Sequence, residues 1–553
     1  MRPDRITYAC VLGLCVLGIL EAKSWEHIKS VDEFIQNIIK CKGIPGLSIA
    51  IVKDGETIIS KGYGYADLEA ELPVTSGTKF CVASLTKAFT STLLADLLHE
   101  RGLNWDTPIR TILGPEFYIH DDYRTLHMSP RDILSHKAGF PAYNGMWQTS
   151  SMTPEEILKH LPFIKEKYGF RTKFTYSNVL LILAGLVAEK LGGGRWADLV
   201  RKRLLDPLNM TQTTFAGEAG EGEGFARPYK AHEGGTLEAR PWVAVRQISS
   251  TFSAASICST SEDMAKWMEF HMRGADNVPY ATLLKEVYEP QVVLPPEWNS
   301  DMVKPTFDMD YYYDYGLGWF TGRYRGYEVL HHYGFIYDYF SSMHILPYHK
   351  YGVFTSINGA AKPKQMGFFT SLVNFYIMDL LLREKSFTTP EGICGYDPFG
   401  LDAIDQTANY GGGIIARPFF RRNLSPYVGT YGNNVFGNLT VFLNHTTYTL
   451  HAIYGKYGRL LIDLFQDDEF STESELDWTL FCEGFENFGK FTFKKDGTVD
   501  AISLPCIEPQ DPPVFHRDHR LPEVANPSDK GSQLHVACIQ SSSNSWDADI
   551  DRT

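Results

Sequence analysis

The order of strand-like and helix-like segments is the feature that most limits how this chain can fold. Two strands are predicted in GIPGLSIAIVKDGETIISKGYGYAD, where a Lys-Asp-Gly turn separates two apolar runs. Helix-like segments then continue to about residue 275, strand patterns return from about residue 315 to Gly359, and a last helix-like stretch, GFFTSLVNFYIMDLLL, follows. This order predicts one α+β domain whose sheet joins distant parts of the chain.

A different pattern begins in the last third of the chain. Residues 387–423 are rich in Gly and Pro without a period, which is typical of a linker. Short alternating segments follow from Leu424, and Asp496-Gly497 is a hairpin turn signal between two of them. We expect residues 424–520 to form a small antiparallel barrel or sandwich, and the polar tail at 521–553 to be disordered.

The N-terminal sequence, MRPDRITYACVLGLCVLGILEAKS, has the shape of a secretory signal peptide. Two arginines precede a short apolar run, and the small residue Ala22 follows it. We expect residues 1–22 to be removed and residues 23–386 to form the first domain, although an uncleaved signal anchor is the alternative. The run is short for a membrane span, and no later segment resembles one. The prediction is a secreted, extracellular protein with no membrane span after signal removal.

Charge and cysteine content exclude several functions. The formal net charge is −14 and no basic stripe interrupts it, which argues against nucleic acid or an anionic membrane surface as a partner. None of the nine cysteines forms a Cys-x-x-Cys pair, so no metal or other cofactor is expected. Export would permit disulfides, whose pairing stays open. Together with the signal peptide, four sequons predict glycosylation at Asn209, Asn423, Asn438 and Asn444.

The segment KFCVASLTKAFTSTLLADLLHERG places Ser84 one helical turn before Lys87, at the start of an apolar helix. Backbone N–H groups at a helix start are unpaired and can help to hold an oxyanion. A lysine among apolar side chains has a lowered pKa and could accept the serine proton. The spacing alone is a weak signal, because Ser76 and Lys79 show it in a polar turn.

Two further motifs strengthen this interpretation. In RTKFTYSNVLLILAG, a phenol at Tyr176 held near a lysine would lose its proton more easily, and the Asn178 amide could orient the lysine and a substrate carbonyl. The alternative is a helix cap at Ser177 with Tyr176 packed beside it. In YEVLHHYGFIYDYF, His332 would offer a donor that faces the substrate, and Gly334 would let a substrate backbone approach closely.

Ser-x-x-Lys, Tyr-x-Asn and His-x-Gly in this order resemble the signature of penicillin-recognising serine enzymes. Blocks such as DILSHKAGFP, STSEDMAKWM and YGLGW extend the likeness over about residues 30–385. The sequence is similar to the β-lactamase-related, penicillin-binding-protein-like family, which includes class C β-lactamases, esterases and D-amino-acid peptidases. The resemblance also includes secreted animal proteins of the gigasin type, which occur in the mollusc shell matrix. The strands after residue 424 resemble the lipocalin-like domain often appended to such proteins.

The resemblance implies an antiparallel sheet with helices on both faces, an all-helical lobe, and a role for each motif residue. Ser84 would be the nucleophile, Lys87 its proton acceptor and Tyr176 the second acid/base. Asn178 would position these groups, and His332 would take the third-motif role. The substrate site would include Gly334 and Phe335, with the backbone N–H groups of Ser84 and Phe335 as the oxyanion hole. The resemblance assigns His136 of LSHKAGF to a structural loop.

Two departures from the family pattern bear on the substrate. His332 replaces a third-motif lysine and carries no fixed charge, which weakens recognition of a substrate carboxylate. Asp338 and Tyr339 replace a glycine-aromatic pair, and we expect them to narrow the cleft and change its charge.

The sequence therefore predicts a secreted serine hydrolase that acts through an acyl-enzyme on an ester or amide, with a small-molecule or peptide substrate. The alternative is a secreted matrix or structural protein with little turnover. A true β-lactamase or transpeptidase is disfavoured by His332. Association as a homo-oligomer or with a matrix stays open.

Overall fold

The computed structural model describes residues 25–148, 152–232, 234–273, 277–295, 312–361, 366–396, 423–465, 467–474, 488–505, 507–508 and 511–519. The signal peptide predicted at 1–22, the tail predicted at 521–553 and most of the predicted linker lie outside these residues. The described chain divides into two compact units. The first comprises Met1–Asp106, Pro130–Ala142 and Lys167–Arg417, and the second comprises Thr107–Ser129, Tyr143–Glu166 and Pro418–Thr553.

The helices of the described residues are, in chain order, α1 (Ile28–Lys42), α2 (Thr86–Glu100), α3 (Ile109–Leu113), α4 (Asp122–His127), α5 (Pro130–Leu134), α6 (Pro154–His160), α7 (Asn178–Gly192), α8 (Trp196–Val200), α9 (Trp242–Arg246), α10 (Phe252–Ala255), α11 (Ser261–Met272), α12 (Ala281–Val287) and α13 (Met366–Leu382). The strands are β1 (Gly46–Lys53), β2 (Glu56–Asp67), β3 (Leu72–Pro73), β4 (Phe80–Cys81), β5 (Thr214–Phe215), β6 (Tyr229–Ala231), β7 (Leu237–Ala239), β8 (Ile257–Ser259), β9 (Val292–Val293), β10 (Tyr312–Tyr315), β11 (Phe320–Tyr324), β12 (Tyr327–Ile336), β13 (Tyr339–Leu346), β14 (Tyr351–Ile357), β15 (Gly429–Asn433), β16 (Gly437–Asn444), β17 (Thr449–Tyr454), β18 (Gly458–Leu464), β19 (Glu469–Ser474), β20 (Phe488–Phe493), β21 (Val499–Ser503) and β22 (Val514–Arg517).

A nine-stranded antiparallel sheet forms the centre of the first unit, in the order β3-β2-β1-β14-β13-β12-β11-β10-β9. The first long strand, β1, pairs with the last, β14, in a register that runs from Leu47 opposite Ile357 to Val52 opposite Gly352. This pairing confirms the predicted sheet that joins distant parts of the chain. Both strands are almost wholly buried, because helices cover the sheet on its two faces.

Apolar side chains at helical spacing attach α1 to the sheet. Val31, Phe34, Ile35 and Ile38 recur at intervals of three and four residues and are fully buried in one core with residues of α13. The rings of Phe34 and Tyr376 are stacked, with their centroids 3.9 Å apart. The first face of the sheet is therefore covered by helices from the two ends of the unit.

Helices α11 and α2 belong to the core of the same unit. A Cβ on Gly352 of β14 would lie 2.2 Å from Met272 Cε of α11, so the missing side chain is what allows the close approach. The rings of Phe89 in α2 and Trp267 in α11 are stacked at 3.8 Å. The sequence predicted an amphipathic α2, but its residues from Thr86 to Ala95 are buried without exception, so the helix runs through the interior.

Two disulfides link distant parts of the first unit. Cys81 of β4 pairs with Cys258 of β8, and Cys41 of α1 pairs with Cys394. The second of these, with a hydrogen bond from the Asn37 side chain to the Pro390 carbonyl, attaches residues 387–396 to the first unit. The sequence assigned these residues to the linker.

The second unit contains a closed eight-stranded barrel, β15 to β22, in which neighbouring strands are antiparallel. Aromatic side chains fill its interior, with Tyr431, Tyr454, Phe470 and Phe515 fully buried. The barrel confirms the first of the two predicted architectures, and Gly497 adopts the positive φ expected at the β20–β21 hairpin. Residues 107–129 and 143–166, which the sequence placed in the first domain, belong to this unit. In the described part of the chain, no helix is long and apolar enough to cross a membrane.

Two buried histidines of the first unit predict a pH-dependent stability. Burial lowers the pKa of both His271 and His344 to about 3. In the unfolded chain each would titrate near ~6.5, so below that pH the unfolded state binds more protons. Their contribution to stability is complete above ~6.5 and is lost as the pH falls towards ~3, by up to ~1.4 kcal/mol per pH unit for each residue.

We expect the unfolding temperature of the first unit to fall between about pH 6.5 and about pH 5, before most carboxylates titrate. His344→Asn should make this fall shallower, because asparagine can bond the Asn374 amide but does not titrate. Thermal unfolding followed by tryptophan fluorescence at several pH values measures both effects. An identical pH dependence in the variant and the wild type would contradict the assignment.

Candidate active site

Ser84 lies in a single 3₁₀ turn, Ala83–Leu85, that leads directly into α2. Ala83 has a φ of 48°, in the left-handed region that residues other than glycine seldom adopt. Three residues before Ser84, Cys81 is joined to Cys258, and the Val82 N–H donates to the Ile257 carbonyl at 2.9 Å. The turn that carries the serine is thus anchored immediately before its strained residue.

The Lys87 side chain is fully buried and reaches three oxygens. Its Nζ lies 3.0 Å from Ser84 Oγ, 2.9 Å from Asn178 Oδ1 and 3.0 Å from the Ala254 carbonyl oxygen. Burial alone lowers the pKa of Lys87 well below its usual value. A neutral amine has two N–H groups for the amide and carbonyl oxygens, which only accept, and one lone pair that can point at the serine hydroxyl.

Tyr176 reaches the same serine oxygen from the loop before α7. Its hydroxyl donates to Ser84 Oγ at 2.9 Å, and Lys87 Nζ lies 4.8 Å from the centre of its ring. Burial raises the pKa of Tyr176 strongly. The sequence suggested that the nearby lysine would ease loss of the phenol proton. In the resting site burial has the opposite effect and outweighs any such influence of the lysine.

Asn178 begins α7, and Ser177 stands at the cap position before it. The alternative interpretation of this motif made the Ser177 hydroxyl a helix cap. That hydroxyl makes no cap hydrogen bond and has no partner among the described residues. The Ser177 backbone N–H instead donates to His136 Nδ1 at 3.2 Å.

His332 is buried in β12, and both of its ring nitrogens are engaged. Nδ1 lies 2.7 Å from the Tyr333 carbonyl oxygen, which can only accept, so Nδ1 carries the hydrogen. Nε2 is then an acceptor, and it lies 3.0 Å from the Tyr315 hydroxyl. Burial and the proximity of Lys87 lower the pKa of His332 to about 3. The imidazole is neutral, but it does not offer the expected donor to a substrate.

Gly334 and Phe335 follow His332 along β12, beside the serine turn. A Cβ on Gly334 would lie 2.1 Å from the Val82 carbonyl oxygen and 2.9 Å from the Ser84 nitrogen. The glycine therefore makes room for the serine turn, whereas the sequence analysis assigned that room to a substrate. In the described residues β11 pairs with β12 only as far as His331, and the Phe335 side chain is 47% exposed. Gly334 and Phe335, which the sequence predicted as part of the substrate site, thus lie beside the serine turn, and the Phe335 side chain is open to solvent.

Several neighbours of the site were not identified from the sequence. Tyr315, the donor to His332, lies in the YGLGW block, and its spacing gave no sign of this bond. Asp338, expected to add charge to the cleft, is buried and bonded to Arg240 at 2.5 Å, so its charge is compensated. Of the predicted glycosylation sites, Asn209, Asn423 and Asn438 are exposed and Asn444 is partly buried. Within the described ranges no group of three or more metal-binding side chains occurs.

Comparisons with known proteins bear on the family and the fold of this chain. The Beta-lactamase family model matches residues 31–367. The unguisins hydrolase ungD of Aspergillus violaceofuscus (strain CBS 115571) is 26% identical over 460 residues, which cover 76% of this chain and 77% of the relative. Protein flp of Staphylococcus aureus (strain N315) is 25% identical over 350 residues, which cover 61% of this chain and 64%, less than two thirds, of that protein.

Two further matches extend the comparison. Gigasin-6 of Magallana gigas is 25% identical over 265 residues, which cover 47% of this chain and 86% of the relative. The octameric penicillin-binding protein homologue from Pyrococcus abyssi has a similar fold, with a TM-score of 0.54 at 19% identity over 88% of this chain and 99% of that one. The family model and the match to the unguisins hydrolase support a hydrolase-type function. Since the family model covers more than half of its residues, this chain belongs to the beta-lactamase family.

Proposed function

We propose that this protein is a secreted serine hydrolase that cleaves an ester or amide with a neutral acyl group, through an acyl-enzyme on Ser84. The observation that carries the proposal is the buried amine of Lys87, 3.0 Å from Ser84 Oγ. Burial favours the neutral form of this amine, and a neutral amine can act as a base towards a hydroxyl. The name of the relative ungD, an unguisins hydrolase, supports the same reaction class.

In the first half of the reaction, the Ser84 O–H bond breaks and its proton moves to Lys87 Nζ. Oγ then forms a bond to the carbonyl carbon of the substrate. We assign the developing oxyanion to the backbone N–H groups of Ser84 and Phe335. Tyr176 hydrogen-bonds the same Oγ and holds its proton in the resting site because its pKa is raised. As the bond from the carbonyl carbon to the leaving group breaks, Tyr176 gives this proton to the leaving group, and the positive charge that Lys87 has gained favours the transfer.

In the second half, water attacks the acyl carbon and the bond from that carbon to Oγ breaks. The proton that the water loses passes to the Tyr176 oxygen, and Lys87 gives its proton back to Oγ, so that all three residues regain their starting protonation states. Asn178 and the Ala254 carbonyl orient the amine throughout, because both accept hydrogen bonds from Nζ. No metal or cofactor takes part in this scheme.

The site's electrostatics support a neutral substrate. Lys87 and His332 both have lowered pKa values, and the Asp338 carboxylate is bonded to Arg240. None of these groups supplies the fixed positive charge that a third-motif lysine would offer to a carboxylate. The proposal of secretion is supported by the two disulfides, which persist in oxidising compartments.

We expect Ser84→Ala to abolish labelling by a fluorophosphonate probe without a change in the circular dichroism spectrum. Only an activated serine reacts with this probe at a useful rate, so the label reports the nucleophile. The matched control is Ser76→Ala, which removes the serine of the other Ser-x-x-Lys motif, Ser76 to Lys79. This variant should be labelled like the wild type. Labelling that survives in Ser84→Ala would identify another nucleophile. No labelling of the wild type would favour a matrix or structural role.

Lys87→Ala and Tyr176→Phe should each slow acylation by at least ~10²-fold, the usual effect of losing an acid or base. Their effects should not multiply in the double variant, because the proton that Lys87 accepts and the proton that Tyr176 donates move along one hydrogen-bonded chain through Ser84 Oγ. Single-turnover labelling rates of the two variants and of the double variant measure this. If the loss of labelling rate in the double variant equals the product of the two single losses, the two residues act independently and this coupling is wrong.

A neutral butyrate ester should react faster than the hemisuccinate ester of the same alcohol, which carries a carboxylate. The ratio of the two kcat/KM values should stay constant from about pH 6 to about pH 8, since His332 is neutral throughout that range. His332→Lys should shift the ratio towards the hemisuccinate by up to ~1–3 kcal/mol, the value of a charged hydrogen bond. An unchanged ratio in His332→Lys would mean that position 332 does not sense the substrate.

A further inference from the structure

His136 has an unusual backbone conformation for its type. It follows α5, is fully buried, and has a φ of 58°. This left-handed conformation is strained for residues other than glycine and a few polar types such as asparagine. A loop position that needed only this conformation would be suited to glycine. The imidazole must therefore supply something that glycine does not.

His136 forms hydrogen bonds to both neighbours of Tyr176. The Thr175 N–H donates to the His136 carbonyl oxygen at 2.8 Å. The Ser177 N–H donates to His136 Nδ1 at 3.2 Å. The ring of His136 also lies against the ring of Tyr176, with centroids 4.4 Å apart and planes tilted by 32°. His136 thus contacts the residue before Tyr176, the residue after it and the ring of Tyr176 itself.

The bond from Ser177 also determines where the hydrogen of the imidazole lies. Because Nδ1 accepts, the hydrogen of the neutral ring is on Nε2. This N–H is buried and has no hydrogen-bond partner among the described residues. Its ring is surrounded by aromatic rings, including those of Tyr315 at 5.2 Å and Phe174 at 5.6 Å. With no free lone pair, the imidazole cannot act as a base, which leaves the Nδ1 bond as its contribution.

We propose that His136 is a positioning residue for hydrolysis, which fixes the backbone on either side of Tyr176 so that the tyrosine hydroxyl stays within hydrogen-bond distance of Ser84. The inference rests on the proposed function and goes beyond the structural loop that the family resemblance implies. It predicts that His136 acts through Tyr176 and has no separate effect on the chemical step.

Two substitutions separate this role from a purely conformational one. His136→Asn tolerates the left-handed backbone, and its Oδ1 can take the place of Nδ1 as the acceptor for Ser177. His136→Gly tolerates the backbone even better but has no acceptor. We expect the asparagine variant to keep at least about a third of the wild-type kcat per titrated site, and the glycine variant to lose at least about tenfold. If glycine matches or exceeds asparagine, the proposal is wrong.

A double-mutant cycle with Tyr176→Phe provides the readout that a structural role would not change. If His136 acts through Tyr176, His136→Gly should cost less than about twofold once the hydroxyl is absent. An equal loss in both backgrounds would overturn the proposal. Should the glycine variant fail to fold, a folded asparagine variant that loses tenfold or more would also overturn it. His344→Asn, a buried histidine next to α13, is the control, and its kcat should equal that of the wild type.

Failure of the role proposed for His136 can be distinguished from failure of the proposed function. Wild-type protein that reacts with the probe at Ser84, together with a His136→Gly variant that keeps full activity, would leave the hydrolase proposal intact and reject only the role of His136. Wild-type protein that does not react at Ser84 would reject both.

Discussion

The buried amine of Lys87 is the interaction on which the rest of the first unit depends. Burial of a polar group without hydrogen bonds costs on the order of 2–7 kcal/mol. Oxygens of Ser84, Asn178 and Ala254 lie within 3.0 Å of Nζ and offset that cost. They come from the turn before α2, the start of α7 and α10. These three segments must therefore stay at fixed distances from one another. Otherwise the amine would lose the hydrogen bonds that replace those it would make with water.

The same requirement accounts for Thr86 and Thr90, two polar residues in the buried part of α2. Thr86 Oγ1 accepts from the Ile257 N–H at 3.1 Å, and Thr90 Oγ1 donates to the Ser253 carbonyl at 2.6 Å. With the Cys81–Cys258 disulfide, these bonds tie the first turns of α2 to the segment that contains Ala254. A buried hydroxyl that is satisfied in this way is nearly neutral for stability, but it fixes the register of two elements.

The sequence predicted the residues of the site better than their protonation states. Ser84, Lys87, Tyr176 and Asn178 were found because each motif has a fixed local spacing, and the structure brings them within hydrogen-bond reach. The state of His332 depends on Tyr315, which lies on another strand, and such a contact leaves no local pattern. The partner of Asp338 is 98 residues away for the same reason.

The same contrast between local patterns and long-range contacts holds for the fold. The strands at the two ends of the first unit, and their joining in one sheet, were predictable. Apolar patterns along a strand are local, and a sheet must be covered by other elements. The disulfide pairs, separated by 353 and 177 residues, were not predictable. The grouping of residues 107–129 and 143–166 with the barrel was also missed, since it depends on contacts between segments that are far apart in the chain.

Backbone strain at Ala83 and His136 affects the distance between Ser84 Oγ and the Tyr176 hydroxyl. Ala83 and His136 both have left-handed φ values, and neither is glycine. Left-handed backbone costs a residue with a side chain ~1–2 kcal/mol, whereas glycine would add flexibility to the unfolded chain and to the turn itself. Ala83 directly precedes Ser84, and His136 holds the residues on either side of Tyr176. The 2.9 Å separation of Ser84 Oγ and the Tyr176 hydroxyl is therefore set by two constrained backbones, which limits how far side-chain rotation can change it.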